Sequence, residues 1–312
     1  MALLSIIIPS YNEEENISRT AKRLREILTE ANISYELLFI SDGSRDNTFA
    51  EIEKEAKVDS NVKGYEFSRN FGKEAAIFAG LKMAKGNCAV VIDCDLQHPP
   101  EMIPEMFKLW KEGYDVVEGV KSDRGDESKL HKLFVGAFYG VMSKLMKINM
   151  NDTSDYKLLD RRVIDVLLDL KESNTFFRAL SFWAGFKSTN IKYEVQERAA
   201  GESKWSFMSL LKYAIMNTTS FTTAPLQVVT FLGILSIAFA VIMGLQTLVR
   251  YFMGNAVEGF TTVILLVLMI GGFIMLSLGI IGHYLARIYD EVKGRPRYII
   301  ARETGKEEAK HE

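Results

Sequence analysis

AVVIDCDLQHPP, residues Ala89–Pro100, sets a short apolar run directly against two carboxylates, an amide, a histidine and two prolines. An apolar run this short, bounded by turn-forming residues, reads as a buried strand. It delivers Asp93 and Asp95 to the strand's end with one residue between them. Carboxylates so close repel each other, and a hard cation relieves the conflict. Mg²⁺ typically takes one or two carboxylates plus phosphate oxygens and keeps several waters, and Gln97 is the natural further ligand. An isolated Asp-x-Asp arises often by chance and in helix caps. One that closes a buried strand and runs into Gln-His-Pro-Pro is far more specific.

Outward from that run, over residues 1–120, short apolar runs alternate with helical spacing. Leu4–Ile8, Glu36–Ser41, Val62–Phe67, Ala89–Ile92 and Asp115–Gly119 read as strands. Glu14–Ala31, Asn47–Val58, Lys73–Ala84 and Pro100–Glu112 carry apolar residues three or four apart and read as helices. The alternation predicts an α/β fold, a mainly parallel sheet with helices on both faces. Such sheets bind ligands at the carboxyl ends of their strands, and the polar clusters fall there. They are Pro9-Ser10-Tyr11-Asn12-Glu13, then Ser41-Asp42-Gly43-Ser44 with Asp46, then Ser68–Lys73, then Asp93–His98. One such cluster would be an ordinary turn or cap. Four along one edge read as a shared site.

The chain has 312 residues, 48% of them hydrophobic and 25% charged, with a formal net charge of −2. At about 150 residues per domain there is room for roughly two domains. The near-neutral balance gives no basic face for nucleic acid. The two cysteines, Cys88 and Cys94, are too few for a disulfide framework or a thiolate zinc site. In an apolar run they read as small buried residues.

The apolar residues are segregated. Val228–Val249 and Thr261–Gly282 each supply the about 20 apolar residues that a membrane helix needs. The expected organisation is a soluble α/β domain over 1–200, an amphipathic interface helix in 201–225 (Trp205–Thr223), a two-helix transmembrane hairpin over 226–289 and a tail over 290–312. Met1–Pro9 lacks the basic start of a signal peptide. Arg198, Lys204 and Lys212 precede the first span and Arg287, Lys293, Arg295, Arg297 and Arg302 follow the second, whereas Tyr251–Phe260 between them has no Lys or Arg. Both termini are therefore expected on the cytoplasmic side. Lys121–Lys129 reads as a mobile loop, Leu130–Lys147 as an amphipathic helix and the charged tail Glu303–Glu312 as disordered. Gly271, Gly272 and Gly279 suit close helix packing, within the hairpin or between copies in a homo-oligomer.

Ser5-Ile-Ile-Ile-Pro-Ser-Tyr-Asn-Glu13, Asp42-Gly-Ser44, Arg69-Asn-Phe-Gly-Lys73 and Asp93-Cys-Asp-Leu-Gln-His-Pro-Pro100 resemble the motifs of family 2 glycosyltransferases with the GT-A fold. Within that family the chain resembles the polyprenyl-phosphate glycosyltransferases: dolichyl-phosphate mannose synthases and, more closely, bacterial undecaprenyl-phosphate (bactoprenol) glucosyltransferases. The likeness covers essentially the whole chain, including Arg198-x-x-Gly201-x-Ser203-Lys204, the hairpin, and Lys293-Gly-Arg-Pro-Arg-Tyr298 after it.

The resemblance implies an inner-membrane enzyme that moves a sugar, glucose from UDP-glucose first among the donors, onto undecaprenyl phosphate with inversion, using Mg²⁺ or Mn²⁺. Pro9, Tyr11, Asn12 and Glu13 would line the nucleobase and ribose pocket, with Asp42 on the base, Asp93 on the ribose side, and Lys73 and Arg69 beneath the diphosphate. Asp95 and Gln97, beside Asp93, would hold the metal. Arg124 and Lys132 would meet the acceptor phosphate, while Arg198, Ser203 and Lys204 would close on the donor diphosphate. Asp155 would either orient sugar hydroxyls or act as a base. His98 is read as packing or bonding backbone rather than ligating metal. GDP-mannose, UDP-GlcNAc, UDP-galactose and a modified pentose remain alternative donors. Three other readings are weaker. A processive polysaccharide synthase would carry Gln-x-x-Arg-Trp and more spans. A nucleotidyltransferase would carry a Gly- and Lys/Arg-rich loop where Pro9–Glu13 is acidic. A non-catalytic membrane scaffold would not need Asp93, Asp95 and Gln97 intact.

Overall fold

The computed structural model describes residues 2–121, 154–170, 172, 176–193, 224–253 and 259–305. Its chain divides into two units, Met1–Lys204 with Pro296–Glu312, and Trp205–Arg295. In the first unit, β1 (Leu3–Ser10) is buried from Leu4 to its end. A strand apolar on both faces belongs in the middle of a parallel sheet. β1 pairs in parallel with β2 (Ser34–Ser41) on one side and with β4 (Cys88–Val91) on the other, and β2 pairs in parallel with β3 (Val62–Phe67). The crossovers are α1 (Ile17–Glu30), α2 (Thr48–Val58) and α3 (Lys73–Met83). All of Ala75–Leu81 in α3 is buried. Glycine at position 80 admits Ile7 of β1 where any Cβ would collide with it.

The chain continues through a single 3-10 turn, Pro100–Met102, into α4 (Ile103–Lys111) and β5 (Val116–Lys121). Then come β6 (Lys157–Asp160), α5 (Arg161–Asp169), α6 (Phe177–Trp183) and β7 (Ser188–Tyr193). Far along the sequence, β8 (Ile300–Glu303) completes an eight-stranded sheet of order β7-β5-β6-β4-β1-β2-β3-β8. The α/β architecture with a parallel centre is the one the sequence predicts. β6 runs antiparallel to both β4 and β5, and β8 runs antiparallel to β3. The tail expected to be disordered from Glu303 onward thus begins inside a strand. Its order comes from backbone pairing with the open edge of β3, for which Ile-Ala-Arg-Glu gives no apolar signature.

In the second unit, α7 (Ala224–Phe252) and α8 (Phe260–Lys293) contain the apolar stretches Leu226–Arg250 and Leu266–Lys293, each long and apolar enough to cross a membrane. The hydroxyls of Ser236, Thr247 and Ser277 donate to carbonyls four residues back, at Leu232, Met243 and Phe273. This internal satisfaction suits a helix without water around it. Gly294 ends α8 in the left-handed conformation, φ 57°.

Candidate active site

The carboxyl ends of β1, β2 and β4, the loop after β3 and the start of α3 enclose a cavity of about 320 Å³ lined by Pro9, Tyr11, Glu13, Asp42, Lys73, Asp93 and Asp95, among others. One cavity thus lies at the sheet edge where the sequence groups its polar clusters, and a second, of about 380 Å³, lies between α1 and the Leu96–Glu101 turn.

Two loops define one wall. Asp42, buried at the end of β2, accepts the N–H groups of Phe71 (2.7 Å) and Gly72 (2.9 Å). Burial raises its carboxyl above the ordinary value even against these bonds. Gly43 has φ +62° and lies so near the Arg69–Asn70 backbone that a side chain there would collide with it. Asn12, at φ 55°, donates its N–H to Ser44 Oγ (3.1 Å) and accepts the N–H of Arg45 on its side-chain oxygen (2.9 Å). Asn12 and Asp42, both expected to meet the donor, thus have bonds that fasten loop to loop. Arg69 lies over the Phe71 ring at 4.1 Å.

An ionic chain starts from the lining residues Lys73 and Asp93. Lys73 Nζ lies 2.6 Å from Asp93 and 3.1 Å from Asp155. Arg178 grips both oxygens of Asp155, at 2.6 and 2.9 Å. Burial favours the neutral form of Asp155, but Arg178 and then Lys73 outweigh it and hold the carboxyl well below the usual range. Such a carboxylate is a poor proton acceptor, which weighs against the base alternative. Burial likewise works to raise Asp93, and the contacts from His98 and Lys73 overcome it. His98 packs as expected, stacking on Tyr156, but its polar partners are side chains rather than backbone, the Tyr193 hydroxyl at 2.6 Å and the Asp93 carboxylate at 3.6 Å.

Asp95 is exposed, and its carboxylate accepts the Gln97 N–H at 3.0 Å. Leu96 between them sits at φ 55°, a conformation costing a non-glycine residue about 1–3 kcal/mol. Glu13 faces this corner. Burial raises its carboxyl, and beyond a lowering bond from Asn16 the nearby Asp95 and Asp93 carboxylates raise it further. Carboxylate and amide oxygens, such as those of the exposed Asp95 and of Gln97, are the hard donors that a Mg²⁺ or Mn²⁺ ion accepts. Asp95 lines the cavity and has the chemistry for that role, whereas Gln97 lines a separate pocket with Arg19, Arg23 and Glu101. Asp93 is less free for it, being held by Lys73. Among the described residues no three His, Cys, Asp or Glu side chains converge as a ready-made cage.

Arg124, Lys132, Arg198, Ser203 and Lys204 lie outside the described residues, as do the expected loop after Lys121 and the helices Leu130–Lys147 and Trp205–Thr223. Sequence reasoning missed Arg178, which stands alone in a stretch without a motif. It also missed Lys157, 1% exposed, bonded to Ser181 Oγ at 2.8 Å and to Glu118 at 3.0 Å. A lysine opening Lys-Leu-Leu-Asp reads as surface until β6 is known to be internal.

An α/β sheet with a parallel centre takes its ligands at the carboxyl edge, where this acidic cavity lies. Residues 5–168 match the family model for glycosyl transferase family 2. The chain belongs to that family and is a glycosyltransferase. It is 41% identical over 303 residues to an uncharacterized glycosyltransferase of Bacillus subtilis, YkcC, covering 96% of this chain and 94% of that one. It is 37% identical over 309 residues to the bactoprenol glucosyl transferase of Shigella phage SfV, covering 97% and 99%. A solved glucosyl-3-phosphoglycerate synthase from Mycobacterium tuberculosis superposes with a TM-score of 0.49 at 16% identity, over 70% of this chain and 77% of that one.

Proposed function

We propose that the chain transfers glucose from UDP-glucose to undecaprenyl phosphate, giving a polyprenyl-monophosphate sugar and UDP. The reading is supported by one conjunction: the carboxyl-edge cavity with Asp42, Asp93 and Asp95, in a chain similar from end to end to bactoprenol glucosyl transferases, apolar helices included. A phosphate oxygen of the lipid attacks the anomeric carbon as the bond to the nucleoside diphosphate breaks, inverting the configuration. That oxygen is already anionic near neutral pH, so no strong base is needed. The ion-paired state of Asp155 is compatible with this, and its role is then to orient the sugar or to hold Lys73.

Asp95 and Gln97 would hold a Mg²⁺ or Mn²⁺ ion, which when bound neutralises charge on the departing diphosphate. Pro9, Tyr11 and Glu13 offer surface to the nucleoside, with Asp42 holding the loop wall and Lys73 keeping Asp93 in place. Two anionic substrates repel each other, so cations must screen them. Arg124 and Lys132 take that part for the acceptor, and Arg198, Ser203 and Lys204 for the donor. α7 and α8 anchor the enzyme in the bacterial inner membrane as a hairpin with both termini cytoplasmic, and their glycines leave room for self-association. A second reading keeps the reaction and changes the donor to GDP-mannose, UDP-GlcNAc, UDP-galactose or a modified pentose.

The test is a panel of these nucleotide-sugars with undecaprenyl phosphate, with Mg²⁺, Mn²⁺ or chelator. UDP-glucose is expected to be the fastest donor and chelator to abolish transfer. Faster use of another sugar replaces the donor. Full activity in chelator removes the metal role.

A further inference from the structure

The segment Pro296-Arg-Tyr-Ile-Ile300 has no part in the reaction just described, yet it is fixed to the loop that lines the cavity. Tyr298 stacks on Phe67 at the end of β3, with ring centroids 5.1 Å apart and planes 10° from parallel. Phe67 in turn meets Phe71 edge to face at 5.7 Å. Ser68, first residue of the loop after β3, donates its N–H to the carbonyl of Ile299 at 3.0 Å. Arg297 bonds the carbonyl of Leu170 and lies over the ring of Phe78 in α3, at 5.1 Å. Beyond it β8 pairs with β3, and Thr304 exchanges two 2.9 Å bonds with Gly64.

The loop so gripped is the one whose Phe71 and Gly72 N–H groups are held by Asp42 from the cavity side. Asn70, Gly72 and Lys73 all line the cavity. The loop is therefore clamped from two directions, and only one clamp belongs to the site.

We propose that Arg297–Thr304 is a positioning strap for the donor cavity: Tyr298, acting through Phe67 and Phe71, holds the Ser68–Gly72 loop where Asp42 and Lys73 need it. Tyr298 touches no substrate. This rests on the cavity being the nucleotide site, so the experiment has one arm that depends on ligand and one that does not.

In the first arm, hydrogen exchange is followed in the full-length protein without ligand. Tyr298→Ala should speed exchange of the Phe71 and Gly72 amides, while amides of β1 and β4 keep their native protection. Tyr298→Phe, which keeps the stacked ring, should leave both as in the native protein. In the second arm, calorimetry with UDP and Mn²⁺ should show Tyr298→Ala binding about two- to tenfold more weakly, the scale of one lost ring stack, with KM for the donor rising more than kcat falls. Tyr298→Phe should restore both. Unchanged Phe71 and Gly72 exchange in Tyr298→Ala, or loss of protection spread evenly over the whole sheet, overturns the strap. Native protein that binds no nucleoside diphosphate, with the exchange result as expected, overturns the reading of the cavity and leaves the clamp on the loop established.

Discussion

The parallel sheet and the two terminal helices are built from the same apolar residue types, yet treat them in opposite ways. Ile7, Leu38 and Val90 are 0% exposed, while Phe231, Ile242 and Leu268 are 64, 63 and 67% exposed. In the sheet these side chains are buried, and each such side chain contributes about 1.5–3 kcal/mol by leaving water. In α7 and α8 the apolar surface is far more than one antiparallel neighbour can cover, and the hydroxyls satisfy themselves within their own helix. Polar groups divide the same way. Around the cavity, carboxylates and cations answer one another across elements that are distant in sequence. Along the spans there is almost nothing to answer. The contrast teaches that one region hides its apolar residues from water, while the other leaves them outward on helices long and apolar enough to cross a membrane.

The largest expected effect falls on the polar side. Asp95→Asn should lower sugar transfer at least about a hundredfold, the scale of losing one strong electrostatic stabiliser, without changing the melting temperature, because Asp95 is exposed. Steady-state transfer and thermal unfolding measure the two halves of that statement. An active Asp95→Asn enzyme would remove Asp95 from the metal site.

Next comes a charge in the apolar region. Ile242→Arg places a cation mid-span, which should cost about 2.5–3.5 kcal/mol of insertion. The membrane-bound fraction after alkaline extraction should drop. A matching Val58→Arg on the exposed end of α2, 74% accessible, should change nothing. Equal behaviour of the two variants would mean that α7 does not face lipid.

A smaller effect tests how closely the sheet's polar groups are coupled. Glu74, at the start of α3, accepts the N–H of Phe177 at 2.9 Å and faces Asp155, Arg178 and Lys73. Burial pushes its carboxyl up to about 7, with the Phe177 bond opposing and Asp155 adding to the rise. A carboxyl raised on folding is best tolerated while protonated. Its contribution is fully present below the unfolded value near 4.5 and is lost as pH climbs through about 7. Glu74→Gln keeps an acceptor for Phe177 and cannot ionise. It should recover on the order of 1–3 kcal/mol at pH 8 relative to pH 5. Denaturant unfolding at the two pH values measures it, and parallel curves for native and variant would contradict the assignment.

Much of the first comparison was legible in the sequence. The strands β1 to β4 announce themselves as apolar runs ending in polar clusters, and their common edge could be named from pattern alone. The two long apolar helices were legible because about 20 apolar residues in a row without charge is the length and composition of a span. What was not legible depends on partners remote in sequence. β6 begins with Lys157, whose burial makes sense only beside Glu118 and Ser181. Arg178 matters only because α6 brings it to Asp155. β8 has no apolar run because backbone pairing, not side-chain burial, holds it. Asn12 and Asp42 have the residue types of ligand contacts, and the bonds they make to neighbouring loops could not be foreseen from type.

The central claim joins the two regions: a water-folded site serving a substrate that lives in lipid. Its most direct test offers the full-length enzyme, reconstituted in vesicles with Mn²⁺ and labelled UDP-glucose, two acceptors side by side, undecaprenyl phosphate in the bilayer and a short water-soluble alkyl phosphate. The account predicts label extracted into organic solvent with the lipid acceptor, at a rate well above that of label entering the soluble product. Transfer to the soluble phosphate at an equal or greater rate, or no label in the lipid phase, would contradict it.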